Sequence, residues 1–272
     1  MEQPLTPDTP PKHRGLSGST IKLIAIFTML IDHTGSAILG RMLAQTGLLS
    51  LSTPTAYNQW ISAHAPLYSS YTATRLIGRI AFPIFCFLLV EGFQKTHDVK
   101  KYAFRLALFA LISEIPFDLA FQNEVLEFTY QNVYFTLFFG LLCMIVLHTI
   151  QEKITMSSTV ATLLLHIVLG ALDILAFCYI AEAIFHTDYG WRGIACIMIL
   201  YLFRNKKPCM IVAGFISFCW ESTAPLAFIP IGFYNGKRGL KLKYVFYAFY
   251  PVHLFLLYLI AQLMGLGGYS AL

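Results

Sequence analysis

The sequence predicts an all-α fold, a polytopic bundle of transmembrane helices with about 8–9 membrane segments. Three observations predict it. Of 272 residues, 57% are hydrophobic and only 12% are charged, about half the ~25% charge of a soluble domain. Apolar runs near the ~20 residues that cross a bilayer recur at 20–39, 75–93, 102–121, 132–150, 157–180, 190–203, 208–233 and 244–263. The connectors between these runs carry Lys and Arg in alternation, as cytoplasmic loops do.

Taken in order, residues 1–18 contain Pro4, Pro7, Pro10, Pro11 and Gly15 and no apolar core. They read as a disordered cytoplasmic tail without a secretory signal peptide, and 19–272 reads as one transmembrane domain. The first span leads into a stretch, 40–74, with one charge, Arg41; it reads as an outer loop carrying a surface helix. A cytoplasmic N-terminus then puts Lys95, Lys100, Lys101, Arg105, Lys153, Arg204, Lys206 and Lys207 inside, and Glu124, Glu127 and Asp188 outside. The 190–203 run is short for a span. The 208–233 run poses a conflict, because Lys237, Arg238, Lys241 and Lys243 reach the cytoplasm only after an even number of crossings. About 26 residues cannot cross twice in full. Two half-helices meeting near Trp220-Glu221-Ser222-Thr223 satisfy both constraints, and such backbone is tolerated where it is buried or lines a cavity.

The candidate chemistry lies in ionisable residues inside these runs. Asp32 sits in the first span, where a carboxylate costs about 2.5–3.5 kcal/mol and calls for a partner, a cavity or a reaction. Its neighbour His33 points about 100° away on a helix, so the two form no direct couple. Thr28, Asp32 and Ser36 share a stripe that reads either as glue between helices or as the polar side of a cavity in which His33 acts as a base. Arg75 and Arg79 lie one turn apart, and Pro83 removes the backbone bond to the Arg79 carbonyl, which predicts a kink there. Arg79 suits an anion: a substrate carboxylate, a phosphate, or Asp32. Glu91 is placed to pair with Lys95 at i+4. Glu114 and Asp118 flank Pro116, and two acids so close in low dielectric do not both ionise freely; they face Arg79 or a basic guest such as an amine. His253 follows Tyr250 and Pro251 in a second proline-disturbed span. Asp188 reads as a helix N-cap paired with Arg192.

Other classes find little support. There is no P-loop and no GxGxxG, the histidines are too dispersed for a metal site, and the basic residues sit in short loops, so no nucleic acid partner is expected. Cys86, Cys143, Cys178, Cys196, Cys209 and Cys219 form no CxxC pair and read as small core hydrophobes.

Several of these segments together resemble the TraX family of integral membrane proteins. They are Ile24–Gly35, Arg75–Phe85, Val90-Glu91-Gly92-Phe93, Lys100-Lys101-Tyr102, Ile112–Asp118, Asp188-Tyr189-Gly190, Tyr234–Gly239 and Tyr250–Leu254. The match runs in order from about residue 20 to about 260. The family's named member acetylates the amino-terminal residue of a conjugative pilin, F pilin. The resemblance implies a multi-pass cell-membrane acetyltransferase that uses acetyl-CoA and a peptide or small-molecule acceptor bearing an amine or hydroxyl. A fold-level likeness to larger membrane acyltransferases with an intramembrane histidine points the same way. On that reading the catalytic set is His33 as base, Asp32 as orienting acid, Arg79 on the donor or the oxyanion, and His253 as reserve base. Glu114, Asp118, Glu91 and Tyr250 form the substrate-binding set, with the first two receiving an ammonium. Two readings stand beside it: a transporter whose relay is Asp32, Glu114 and Asp118, and a scaffold for an envelope complex.

Overall fold

Helix starts follow from the side chains that precede the apolar runs. In the computed structural model, which describes residues 15–240 and 243–269, Ser17 accepts from the Thr20 N–H at 3.2 Å and opens α1 (Gly18–Thr34). A π-helical stretch, Gly35–Gly40, carries α1 into α2 (Arg41–Gln45). Thr53 caps α3 (Pro54–Ala63), and α4 (Ala65–Gly78) follows after one residue. The chain breaks at Arg79 and Ile80 and resumes as α5 (Ala81–Lys95). This is the kink that Pro83 predicts: the proline lies in the first turn of α5, where no helical carbonyl waits for its missing N–H. Asp98 caps α6 (Val99–Phe121), Asn132 caps α7 (Val133–Lys153) and Ser158 caps α8 (Thr159–Tyr179). Then come α9 (Gly190–Leu202), α10 (Lys207–Ser217), α11 (Phe228–Gly232) and α12 (Lys243–Leu263). Among the described residues there is no strand.

Among the described residues, five helical rods are long and apolar enough to cross a membrane: Gly18–Gln45, Ala65–Lys95, Val133–Lys153, Thr159–Ile184 and Tyr244–Leu263. That is fewer than the 8–9 segments expected. The reason is physical: α6 is long but carries Lys100, Lys101, Arg105, Glu114 and Asp118, while α9 and α10 are short. The outer loop expected over 40–74 is largely helix. Its second half, α4, belongs to the span, because Gly35 and Gly78 let α1 and α4 approach closely. A Cβ at Gly35 would collide with Thr74 Oγ1, and one at Gly78 would collide with Asp32 Cβ.

The basic connectors converge on one end of the bundle. The Leu16 N–H donates to Phe233 O (2.8 Å) and the Gly18 N–H to Lys237 O (2.7 Å). Lys95 Nζ donates to Tyr234 Oη and to Gly236 O, both at 2.8 Å, and Lys207 Nζ to Tyr234 O at 2.7 Å. Residues 207 and 234 therefore share an end, and the segment between them enters and returns. Its turn spans 218–223, followed by a 3₁₀ turn, Ala224–Ala227. With 11 residues, α10 descends about 16 Å, half of a ~30 Å hydrocarbon core. The expected turn near Trp220–Thr223 is present, but only its first leg is a half-helix; the return is the 3₁₀ turn and the 5-residue α11. Residues 15–18, expected in the disordered tail, are instead pinned to 233–238. The rest of that expected tail, 1–14, and the topology marker Lys241 lie outside the described residues.

The core lies where α5, α7 and α9 meet, around Ile84, Phe87, Leu141, Met144, Ile197 and Tyr201. By contrast, α8 lies on the outside, with only 6% of its apolar window buried. Cys86, Cys143 and Cys196 are core residues as expected, but Cys209 and Cys219 are exposed on the hairpin, and all six thiols are free. Arg41 is not a surface charge. It is fully buried and donates to Leu119 O and Ala120 O, both at 3.0 Å, which satisfies carbonyls that the end of α6 leaves open.

Candidate functional site

The fold brings the two intramembrane histidines together. His33 on α1 and His253 on α12 lie with Nδ1 and Nε2 2.7 Å apart. His253 Nδ1 is 2.7 Å from Phe249 O. A carbonyl only accepts, so in the neutral pair His253 carries its proton on Nδ1 and accepts at Nε2. His33 then donates from Nδ1, and its Nε2 keeps a free lone pair. Aromatic rings hold this line in place. Phe249 stacks on His253 with centroids 4.5 Å apart, Phe121 meets His33 edge-on at 5.3 Å, and Tyr250 meets each histidine edge-on at 5.8 Å. Pro251 explains part of the local geometry. It cannot donate to Tyr247 O, and that carbonyl accepts from Tyr134 Oη at 3.3 Å instead.

Asp32 turns away from His33, as helix geometry predicts, and its partner is Arg75, with Nη1 to Oδ2 at 2.7 Å. Gly78 opposite is what permits this approach. Arg79 pairs with neither Asp32 nor an open site. Its Nε meets Glu221 Oε1 at 2.8 Å, at the tip of the re-entrant hairpin. Thr223, also at the tip, donates to Leu76 O. Asp188 is neither an N-cap nor paired with Arg192: Tyr189 holds the N-cap position, and Asp188 accepts from Tyr130 Oη at 2.5 Å. The Arg192 guanidinium instead lies over the rings of Trp191 and Trp220.

Glu114 and Asp118 are both buried, and neither forms an ion pair among the described residues. They do not face Arg79. Glu114 accepts from Asn132 Nδ2, and Asp118 Oδ2 accepts from the Glu127 N–H at 2.9 Å. Each keeps one carboxylate oxygen, Glu114 Oε1 and Asp118 Oδ1, without a partner. Glu91 pairs with Lys95 at 2.7 Å, as its spacing predicts.

A cavity of about 500 Å³ opens at the basic end. Lys22, Lys95, Arg105 and Arg238 line it together with Glu91, and Met29 and Tyr250 lie on its wall. Met29 is one turn before His33 on α1, and Tyr250 meets both histidines edge-on, so the cavity wall adjoins the pair, although neither histidine lines it. Arg75, Glu221 and Arg105 stand out in the sequence only as a helix neighbour, a tip residue and a topology marker. The partner that a buried Asp32 demands is the signal for Arg75; no local signal marks the other two. Among the described residues no group of His, Cys, Asp and Glu is arranged to hold a metal ion.

Apolar helical rods enclosing ion pairs and a histidine pair define a polytopic helical membrane protein with a polar interior site. The chain belongs to the TraX family, whose model, described as TraX protein, matches residues 17–261. It is also similar to a protein of Dichelobacter nodosus described as probable fimbrial assembly protein FimC, serogroup H1. The two are 27% identical over 257 residues, covering 89% of this chain and 94% of that relative. No solved structure matches the chain.

Proposed function

We propose that this protein is a membrane acyltransferase that moves an acetyl group from acetyl-CoA to an amine or hydroxyl acceptor, with its N-terminus in the cytoplasm. The observation that carries the reading is the hydrogen-bonded line from Phe249 O through His253 to His33. It leaves Nε2 of His33 as a base of fixed tautomer inside the bundle. The donor supplies an activated thioester carbonyl. His33 Nε2 takes the proton that the acceptor loses as it attacks, and returns it to the departing thiolate. His253 accepts from His33 Nδ1 and supports the imidazolium that forms for that moment. Arg75 and Arg79 hold Asp32 and the hairpin tip in place rather than meeting the oxyanion.

The acceptor side is the end opposite the basic connectors. Glu114 Oε1 and Asp118 Oδ1 are buried acceptors without partners; they receive the ammonium, and one of the two carboxylates takes its extra proton, so that the neutral amine attacks and gives its second proton to His33. The similarity to a protein named for fimbrial assembly favours the amino terminus of an envelope fibre subunit as acceptor. The test uses purified protein in liposomes with acetyl-CoA and such a peptide. His33→Ala slows transfer about 10²–10⁴-fold while the protein still inserts and melts like the wild type. Turnover near the wild-type rate in that variant, or solute counterflow without any acyl donor, overturns the reading in favour of a different base or a transporter.

A further inference from the structure

We propose that the cavity at the basic end, lined by Lys22, Lys95, Arg105 and Arg238, is where the phosphate groups of the acyl donor bind. This rests on the acyl-transfer reading. Four cations line the cavity against one carboxylate, Glu91, and Lys95 already neutralises that acid. Arg105 forms no ion pair with a carboxylate among the described residues. Its Nε is buried without a hydrogen-bond partner, while the rest of its guanidinium bonds Tyr247 and lies 5.8 Å from the Tyr102 ring centroid. Arg238 forms no such pair among the described residues either. Guanidinium groups placed this way match phosphate oxygens, which they bind through paired N–H donors.

The rest of the wall is uncharged. Phe85, Leu88, Val133 and Leu137 line it beside Tyr134 and Tyr250. A volume of about 500 Å³ falls within the ~300–1,000 Å³ of small-molecule sites. Lys22, which lines the cavity, and His33 are separated by about 16 Å along α1. The arrangement therefore fits a ligand with an anionic head, a long neutral arm and a reactive end. A phosphopantetheine thioester has that form. A lipid phosphate shares only the head.

The experiment is titration of detergent-solubilised full-length protein with coenzyme A, which binds without reacting. Wild-type protein binds it, and Arg105→Ala and Arg238→Ala each weaken binding about tenfold or more, as loss of a charge-assisted hydrogen bond implies. Arg105→Lys recovers part of the loss, and a thermal melt like that of the wild type shows each variant folded. Pantetheine, which lacks the phosphates, binds weakly and equally to all. Equal coenzyme A affinity in wild type and variants overturns this site but leaves acyl transfer standing. Arg105-dependent stabilisation by phosphatidylglycerol vesicles, with no binding of coenzyme A, overturns it in favour of a lipid headgroup. Arg105-dependent coenzyme A binding in a protein that transfers no acetyl group supports the site and overturns the acyl-transfer reading.

Discussion

Replacing His253 with phenylalanine tests the histidine line directly. The ring between Phe249 and Tyr250 is retained, but the acceptor Nε2, 2.7 Å from His33 Nδ1, is lost. His33 is left with an unsatisfied buried donor, which costs about 1–3 kcal/mol. Each 1.36 kcal/mol that appears in the transition state is tenfold in rate, so kcat for acetyl transfer falls roughly 5- to 150-fold. His33→Ala removes the base itself and costs about 10²–10⁴-fold. The two changes strike one unit, so the double variant is no slower than His33→Ala alone. His253→Gln restores an acceptor and part of the rate. The assay is acetyl transfer from acetyl-CoA in proteoliposomes, with protein insertion measured in parallel. Independent, multiplicative losses in the double variant would refute the coupling, as would a His253→Phe protein of undiminished kcat.

Three further outcomes follow from packing and charge. Gly78→Ala drives a Cβ into Asp32 Cβ and destabilises by about 1–3 kcal/mol; a thermal melt no lower than wild type contradicts the close approach. Arg79 and Glu221 lose stability together: a double-mutant cycle to alanine gives a coupling above the ~0.2–1 kcal/mol of exposed pairs, whereas zero coupling means that the hairpin tip is held by other contacts. Arg41→Met removes two charge-assisted bonds to the Leu119 and Ala120 carbonyls and costs roughly 1.5–3 kcal/mol, read as a lower unfolding temperature in detergent; an unchanged melt rules out its role in closing α6.

Much of the architecture is legible in the sequence because it follows from local rules. Pro83 announces the break at Arg79, and the apolar runs announce the long helices, whereas the one cap expected, Asp188, is not a cap. The re-entrant hairpin follows from arithmetic on Lys237 and Arg238 against the length of 208–233. The role of α4 is not legible, because small and polar residues such as Ser69, Ser70 and Thr72 lower its apparent apolarity. Its membership of the span depends on Gly35 and Gly78, whose value lies in what packs against them. The partnerships of Arg79, Asp188 and Arg192 differ from expectation for a similar reason. Spacing along one helix suggests neighbours, and residues from other elements are nearer.

The sequence by itself determined that this chain is a helical membrane protein of the TraX family, that its basic connectors share one end, and that Asp32, His33 and His253 are costly residues in need of partners. Hydrophobicity and charge alternation act over a few residues and can be read along a chain. Only the tertiary structure decided which partner each residue has: His253 for His33, Arg75 for Asp32, and Glu221 for Arg79. Those contacts join residues 43 to 220 positions apart, and such pairings depend on how the helices pack, which no local pattern encodes.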